Sequence, residues 1–194
     1  MGKLTLLASL SLLLFSCNKK QESWHRVNVN GSFAMDIPGR FERGFDLHDF
    51  APVQFQDEDA ETYMIGFTQS KSDLEKIRLK YTLKDYSWFQ LRNISSGINT
   101  VLDSYSMQSD VNGSKAIFTE ISGRAFDGES FVPVHYSAAV IEGSESYYQF
   151  VCWGKESEVL SMKDDLHTMY CSFREAGTGS RISGESGAGA ASAN

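Results

Sequence analysis

Four histidines are the residues of this sequence best suited to proton exchange or metal binding. No His-Glu-x-x-His pair places two of them on one helix face, so a helical zinc site is not predicted. His135 lies in a strongly apolar segment, and we interpret it as a hydrogen-bonded core imidazole. His48 precedes Asp49 in a loop, and we interpret that pair as solvated. The four positions are His25, His48, His135 and His167.

An acidic run is the second candidate for metal chemistry, because Ca²⁺ prefers several carboxylate oxygens in a flexible arrangement. The run lacks the glycine and the spacing of an EF-hand loop, and strand-like segments flank it. We therefore predict the solvated tip of a hairpin, with no bound metal and no other cofactor. The run comprises Asp57, Glu58, Asp59 and Glu61.

The motifs of nucleophilic and nucleotide chemistry are incomplete. Gly184-Glu185-Ser186-Gly187 has Ala188 where a nucleophile elbow needs its last glycine. Gly177-Thr178-Gly179 has Ile182 where the dinucleotide fingerprint needs its third glycine. We therefore predict no catalytic residues, and a hydrolase whose site assembles only in the fold is the less favoured alternative.

The N-terminus has the pattern of a bacterial export signal. Met1-Gly2-Lys3 supplies a positive charge, and residues 4–15 form a 12-residue apolar stretch. The stretch is too short for the roughly 20 residues of a transmembrane helix, which argues against an integral membrane bundle. The segment that follows, Leu14-Phe15-Ser16-Cys17, resembles the lipobox of bacterial lipoproteins.

This resemblance implies that residues 1–16 are a signal peptide and that Cys17 is lipidated, with residues 17–23 as the lipidated cysteine and a short tether. Two or three acyl chains would anchor the protein stably in the bilayer of the cell envelope. Asn18 is not the aspartate that retains many lipoproteins in the inner membrane, so the outer membrane is favoured in a Gram-negative cell. An ordinary secretory signal, with an unmodified thiol, is the alternative.

Two cysteines remain after Cys17, at positions 152 and 171. An even number in an oxidising compartment favours pairing, and closing the intervening loop would stabilise the fold by roughly 3 kcal/mol. Two free thiols fit the sequence as well, so a Cys152–Cys171 disulfide and two unpaired cysteines both stay open here.

Composition narrows the choice of partners. The chain has 194 residues, 25 acidic against 18 basic side chains and a net charge of −7. Nucleic acid is not a predicted partner, because phosphate binding requires clustered cationic side chains. Residues 176–194 contain 5 Gly, 4 Ser and 5 Ala, which predicts a disordered tail.

Turn dipeptides between alternating segments predict antiparallel strands. Asn30-Gly31 separates the strand-like residues 25–29 from residues 32–37. A second pair of strands is predicted around residues 53–56 and 63–67.

Apolar spacings of three and four residues predict a helix over residues 84–104 and another over residues 156–170, with a shorter helix at 73–80. Between the two long helices, residues 115–125, 130–142 and 146–154 are predicted to form a three-stranded meander. Apolar residues occur at both odd and even positions of these strands, so they point to both faces of the sheet. We therefore expect both faces to be covered.

Aromatic residues cluster in this meander. An apolar groove for a ligand or partner is one interpretation of this cluster, and ordinary core beneath the covering helices is the favoured one. The five candidate residues are Tyr136, Tyr147, Tyr148, Phe150 and Trp153.

Four short segments and the order of the elements resemble the PsbP-like fold over residues 24–175. The segments are Phe33-Ala34-Met35-Asp36-Ile37-Pro38, Val111-Asn112-Gly113-Ser114-Lys115-Ala116, Tyr147-Tyr148-Gln149-Phe150 and Ser172-Phe173. The resemblance implies an α+β protein, an α/β/α sandwich with a central antiparallel sheet. The family includes an extrinsic photosystem subunit, a nuclear Ran-binding factor and many bacterial lipoproteins.

Most members of this family are binding or assembly factors without catalytic residues. The resemblance therefore implies a membrane-tethered, non-catalytic envelope lipoprotein that acts as a binding or assembly module with an envelope protein as partner. The alternative is a carrier of a small apolar ligand in a cavity between helix and sheet.

Overall fold

The computed structural model of the chain describes residues 23–29 and 31–177, which form ten strands and four helices. In chain order these are β1 Trp24–Val29, β2 Phe33–Pro38, β3 Glu42–Arg43, β4 Val53–Asp57, β5 Thr62–Ser70, α1 Lys71–Lys76, α2 Leu83–Ser96, β6 Thr100–Val111, β7 Ser114–Phe126, β8 Phe131–Glu142, β9 Ser146–Lys155, α3 Glu156–Ser161, α4 Lys163–Cys171 and β10 Arg174–Glu175.

Seven strands pair in the order β3-β4-β5-β9-β8-β7-β6, and a smaller sheet has the order β1-β2-β10. All of these pairings are antiparallel. Helices cover both faces of the large sheet, so the predicted α+β class, an α/β/α sandwich with a central antiparallel sheet, is confirmed.

The two faces of the large sheet carry different cores, because side chains alternate between faces along each strand. We call the face under α3, α4 and the small sheet the sealed face. Its core includes Met35, Met64, Phe118, Ile141, Phe150, Cys152, Leu166, Met169, Tyr170 and Phe173. We call the face under α1 and α2 the α2 face. Its cluster of buried residues is Leu74, Tyr86, Val140 and Tyr147.

The helix predicted over residues 84–104 is too long at its C-terminal end. It ends at Ser96 with Gly97 as its C-cap, and Thr100 begins strand β6. The chain turns here against β7 at Gly123, where a Cβ atom would lie 2.6 Å from the Thr100 carbonyl oxygen. The meander therefore has four strands, and Val101 belongs to a strand rather than to the helix.

The helix predicted over residues 156–170 is two helices, α3 and α4, which meet at Met162. The short helix predicted at 73–80 corresponds to α1, which ends earlier, at Lys76. The predicted strands of the first two hairpins and of the meander are present.

The turn between β6 and β7 is hydrogen-bonded to the C-terminal end of α4 and the residues that follow it. Its central residues Asn112 and Gly113 have φ values of 52° and 86°, as a type I′ turn requires. The Asn112 side chain donates hydrogen bonds to the carbonyl oxygens of Cys171 and Phe173, at 2.9 and 2.7 Å.

Several predictions lie outside the described residues. These are the signal at 1–16, the lipidated Cys17 with its tether apart from Ser23, and the tail beyond Gly177. Within the described ranges, no helix combines the length and the apolar character needed to cross a bilayer.

Candidate functional site

A groove of about 590 Å³ lies on the α2 face, between α2, the segment joining β3 to β4, and strands β5, β8 and β9. This volume is typical of small-molecule sites, which range from about 300 to 1,000 Å³. We call it the α2 groove. Its lining residues are Leu47, His48, Ile65, Phe67, Thr68, Gln69, Tyr86, Gln90, Asn93, Ile94, Gly97, Tyr136, Gln149, Val151 and Trp153.

Aromatic rings line two parts of the α2 groove. Tyr136 and Trp153 are directly opposite each other in the β8–β9 register. Their rings are 6.3 Å apart and within 11° of parallel. In the second part, the rings of His48 and Phe67 meet edge to face at 5.0 Å. The groove therefore presents flat apolar surfaces with some polar edges.

Gln149 is a polar residue among the apolar side chains of the groove floor. The alternation of β9 places it on the same face as Tyr147 and Val151, and only 6% of its surface is exposed. Its carboxamide makes no hydrogen bond to any residue in the described ranges. Buried amide groups usually have partners, so a carboxamide that faces a groove without one is free to bind a ligand.

The Tyr136 hydroxyl is a second polar group without a hydrogen-bond partner among the described residues. Burial raises the pKa of Tyr136 above its usual value, because a low-dielectric environment disfavours the phenolate. The hydroxyl is therefore protonated at neutral pH and able to donate a hydrogen bond.

Helix α2 is held over the groove by its N-terminus and by ring stacking. Thr82 and Asp85 form a reciprocal capping box, and these hydrogen bonds lower the pKa of the Asp85 carboxyl. Tyr86 stacks on Tyr147 with ring centroids 4.5 Å apart. The Tyr147 hydroxyl donates a hydrogen bond of 2.6 Å to the Tyr81 carbonyl oxygen, just before the helix.

The five aromatic residues named as groove candidates are divided between the two faces. Tyr136 and Trp153 line the α2 groove, whereas Tyr147 lies buried beneath the start of α2. Tyr148 and Phe150 belong to the core of the sealed face. The single five-residue groove is therefore wrong, because neighbouring residues of β9 point to opposite faces. The interpretation as core is confirmed for Tyr147, Tyr148 and Phe150.

Both cysteines of the described domain are free, so the structure has the second of the two alternatives that the sequence left open and not the Cys152–Cys171 disulfide. Cys152 is fully buried in the sealed core, and burial raises the pKa of its thiol. Tyr170, the residue before Cys171 in α4, points into that core, and its hydroxyl donates a hydrogen bond to the Ser137 carbonyl oxygen of β8. Cys171 is about 100° further round α4, and its backbone is bound to Asn112 at the far end of the sheet.

A Ser-His-Glu series, the set of residues used by some hydrolases, lies on the sealed face. Glu120 accepts hydrogen bonds from His135 Nε2 at 2.6 Å and from the Ser137 hydroxyl at 2.9 Å. A carboxylate only accepts, so a neutral His135 has Nδ1 left to accept from the Ser122 hydroxyl at 2.9 Å. His135 is 5% exposed, and the interpretation of a hydrogen-bonded core imidazole is confirmed.

The acidic run forms the tip of the β4–β5 hairpin, as predicted. Asp57 accepts a hydrogen bond from the Ala60 amide within the turn. Glu61 forms an ion pair with Lys155 at 2.6 Å. Among the residues that the structure describes, no three His, Cys, Asp or Glu side chains converge as metal ligands.

The remaining histidines occupy different parts of the fold. His25 lies on β1 near Phe55, and His167 lies on α4 against Phe118. His48 is exposed, as interpreted, and it also lines the α2 groove.

Sequence reasoning did not identify Gln149 or His48 as site residues. Gln149 did carry a signal, because it is the one polar residue of the run from Tyr147 to Trp153. His48 carried none, since its place in the groove depends on the fold of a loop without regular structure.

Comparisons with known proteins bear on the fold. No protein-family model and no curated protein matches the chain. The solution structure of cyanobacterial PsbP (CyanoP) from Synechocystis sp. PCC 6803 is 16% identical, with a TM-score of 0.52 over 84% of this chain and 98% of that one. LpqN of Mycobacterium tuberculosis, a protein involved in cell envelope biogenesis, is 11% identical, with a TM-score of 0.48 over 80% and 92% of the two chains.

The CyanoP match extends over nearly all of that protein. The chain therefore has the PsbP-like fold.

Proposed function

We propose that this protein is a non-catalytic binding module, held at the cell envelope by a lipid on Cys17, which binds a small ligand in the α2 groove. The observation that carries the proposal is the groove itself, whose floor holds the Gln149 carboxamide, a group in contact with solvent and without a hydrogen-bond partner in the described chain. The proposal joins the tethered module that the family resemblance implies with a cavity between helix and sheet, the feature expected of a carrier.

The composition of the α2 groove supports a binding role rather than a catalytic one. Among the described residues, its lining contains no Asp, Glu, Lys, Arg or Cys. It therefore offers no pair of charged groups for acid–base chemistry and no thiol nucleophile. The Ser122–His135–Glu120 series lies on the opposite face of the sheet, in the layer covered by α3 and α4.

Fluorine NMR of the full chain tests binding in the groove, because the three tryptophans are independent reporters. Trp153 lines the α2 groove, whereas Trp24 and Trp88 lie outside it. With 5-fluorotryptophan incorporated, the neutral apolar probe N-phenyl-1-naphthylamine should shift the Trp153 resonance and leave the other two in place. Equal shifts at all three tryptophans would contradict a specific groove.

A matched pair of isoleucine variants locates the probe. Ile94→Phe enlarges a side chain that lines the groove, and Ile77→Phe makes the same change at an exposed position. We expect weaker probe binding in the first variant and unchanged binding in the second. Equal affinities in both would place the probe elsewhere.

Fatty-acid labelling tests the anchor. Cells supplied with radioactive palmitate should label the wild-type protein at Cys17 and should not label the Cys17→Ala variant. Cys171→Ala is the matched control, because it removes a partly exposed thiol far from the N-terminus, and it should keep the label. Label retained in Cys17→Ala would exclude lipidation at this position.

A second candidate function, assembly with an envelope protein, is supported by the outer edge of the large sheet. Strand β6 is a 12-residue edge strand with exposed apolar side chains at Leu102 and Tyr105. It carries Asp103 and Asp110 and no basic residue, so it suits an added strand with Lys or Arg. A photoreactive residue at position 105 should crosslink such a partner, and one at Lys163 on α4 should not.

A further inference from the structure

The charge of the α2 groove restricts its ligand. No Asp, Glu, Lys or Arg side chain of the described chain lines it, so a ligand charge would lose water without gaining a carboxylate, ammonium or guanidinium partner. The polar groups that do line it are neutral amides, such as those of Gln90 and Asn93, together with hydroxyls and one imidazole. The site therefore disfavours ions and accepts uncharged molecules that form hydrogen bonds.

The floor of the groove specifies what kind of hydrogen bonds these are. The Gln149 carboxamide has an acceptor oxygen beside donor N–H groups. It is 6% exposed and has no partner in the described chain. A ligand with its own acceptor beside a donor satisfies both sides of this amide, whereas a purely apolar ligand leaves them buried and unpaired, which costs binding free energy.

The walls of the groove specify the shape of the ligand's body. The Tyr136 and Trp153 rings, on β8 and β9, are nearly parallel. The Phe67 ring lies on β5, which pairs with the other edge of β9. Flat rings pack on such surfaces with larger contact area than flexible chains, and they lose less conformational entropy on binding.

We infer that the α2 groove binds an uncharged, ring-containing molecule whose carboxamide-like edge, one acceptor beside one donor, pairs with Gln149. This inference rests on the proposed function, because it names the ligand class of the same groove. The class includes aromatic amides, lactams and ring systems with a similar hydrogen-bonding edge.

Three probes of similar size test the inference on the full chain labelled with 5-fluorotryptophan, with the Trp153 resonance as the readout. They are 2-naphthamide, the apolar 2-methylnaphthalene and the anionic 2-naphthoate. We expect 2-naphthamide to bind at least as tightly as 2-methylnaphthalene, although it is the more costly of the two to remove from water. We expect 2-naphthoate to bind about tenfold more weakly than 2-naphthamide.

Gln149→Leu separates the hydrogen bonds from the shape of the groove. It should lower the affinity for 2-naphthamide about tenfold, which is the effect of one or two neutral hydrogen bonds. The affinity for 2-methylnaphthalene should stay the same or rise. Gln108→Leu, the same change on exposed strand β6, should alter neither affinity.

The outcomes distinguish this inference from the function on which it rests. Binding of 2-methylnaphthalene at Trp153, with 2-naphthamide unaffected by Gln149→Leu, would overturn the ligand class and leave the groove as a binding site. If 2-naphthoate binds more tightly than 2-naphthamide, the groove does not select uncharged ligands. If no probe shifts Trp153, both the ligand class and the groove's binding role are overturned.

Discussion

The two faces of the seven-stranded sheet are built from the same strands and are covered very differently. The sealed face lies under α3, α4 and the small sheet, and its core residues Phe150 and Cys152 have no exposed surface. The α2 face lies mainly under one long helix, and Trp153, only one residue beyond Cys152, remains partly exposed in a groove. Adjacent residues of one strand therefore belong to a closed core and to an open site.

Simple dimensions explain the difference. Six spacings of about 4.8 Å make the sheet about 29 Å wide, whereas a helix is about 10 Å across and covers roughly two strands. Helix α2 packs mainly on β7 and β8, so β9 and β5 are left with less cover on this face. Folding stability therefore comes mainly from the sealed face, whereas the α2 face keeps a groove open to solvent.

The largest test of this division compares core truncations on the two faces. Phe150→Ala should lower the free energy of unfolding by about 3–5 kcal/mol, because it leaves a cavity among fully buried neighbours. Trp153→Ala should cost only about 1–2 kcal/mol, since the indole is partly solvated in the groove. Urea denaturation measures both values. Equal losses would contradict a stability difference between the faces.

The next test removes a partly buried polar group from the sealed face. Glu120→Leu takes the acceptor from His135 and Ser137, and we expect a loss of about 2–3 kcal/mol in the free energy of unfolding. Glu120→Gln keeps an acceptor oxygen and should lose about half as much. A Leu variant as stable as the wild type would show that this network does not stabilise the sealed face.

The strands of this fold were predictable from local chemistry, whereas one helix boundary was not. Asn112-Gly113 predicts the β6–β7 hairpin, because few other dipeptides adopt positive φ at two successive residues. Val101 and Leu102 continue the apolar spacing of α2, so period alone extends the helix into β6. The actual end depends on the close approach of Gly123 to Thr100, a tertiary contact that no local pattern reports.

The groove was predictable only in part, for a related reason. A cluster of aromatic residues in sequence indicates apolar surface, but the alternation of β9 assigns Phe150 and Trp153 to opposite sides of the sheet. Which side stays open depends on how far α2 reaches across the strands. That follows from the packing of the helix on the sheet, and composition does not determine it.

A polar-to-leucine change on the α2 face should act in the opposite direction to Glu120→Leu. Gln149 is 6% exposed, and its carboxamide contacts solvent in the groove without a hydrogen-bond partner in the described chain. Gln149→Leu therefore removes a partly desolvated polar group and adds apolar burial. We expect the free energy of unfolding to rise by about 1 kcal/mol, measured by the same urea titration. A decrease would mean that the carboxamide stabilises the unliganded fold, contrary to a role reserved for a ligand.

The smallest expected effect is the pH dependence of the N-terminal cap of helix α2. Neither α3 nor α4 has a side-chain N-cap among the described residues, whereas α2 begins with the Thr82–Asp85 capping box. The pKa of Asp85 is lowered in the folded state by its hydrogen bonds to Thr82. The cap therefore stabilises α2 fully above the ordinary carboxyl pKa of about 3.9, and this contribution is lost as the pH falls through the lower, folded value.

Amide hydrogen exchange between pH 5 and pH 2, corrected for intrinsic rates, measures this loss helix by helix. The first turn of α2 should lose protection relative to α4 as Asp85 becomes protonated, because exposed cap interactions affect the helix end most. Asp85→Asn keeps a capping side chain that does not titrate, so its α2 should show the weaker pH dependence of α4. If α2 and α4 lose protection in parallel in the wild type, the capping box does not hold the helix over the groove, and ring stacking of Tyr86 on Tyr147 is the dominant contact.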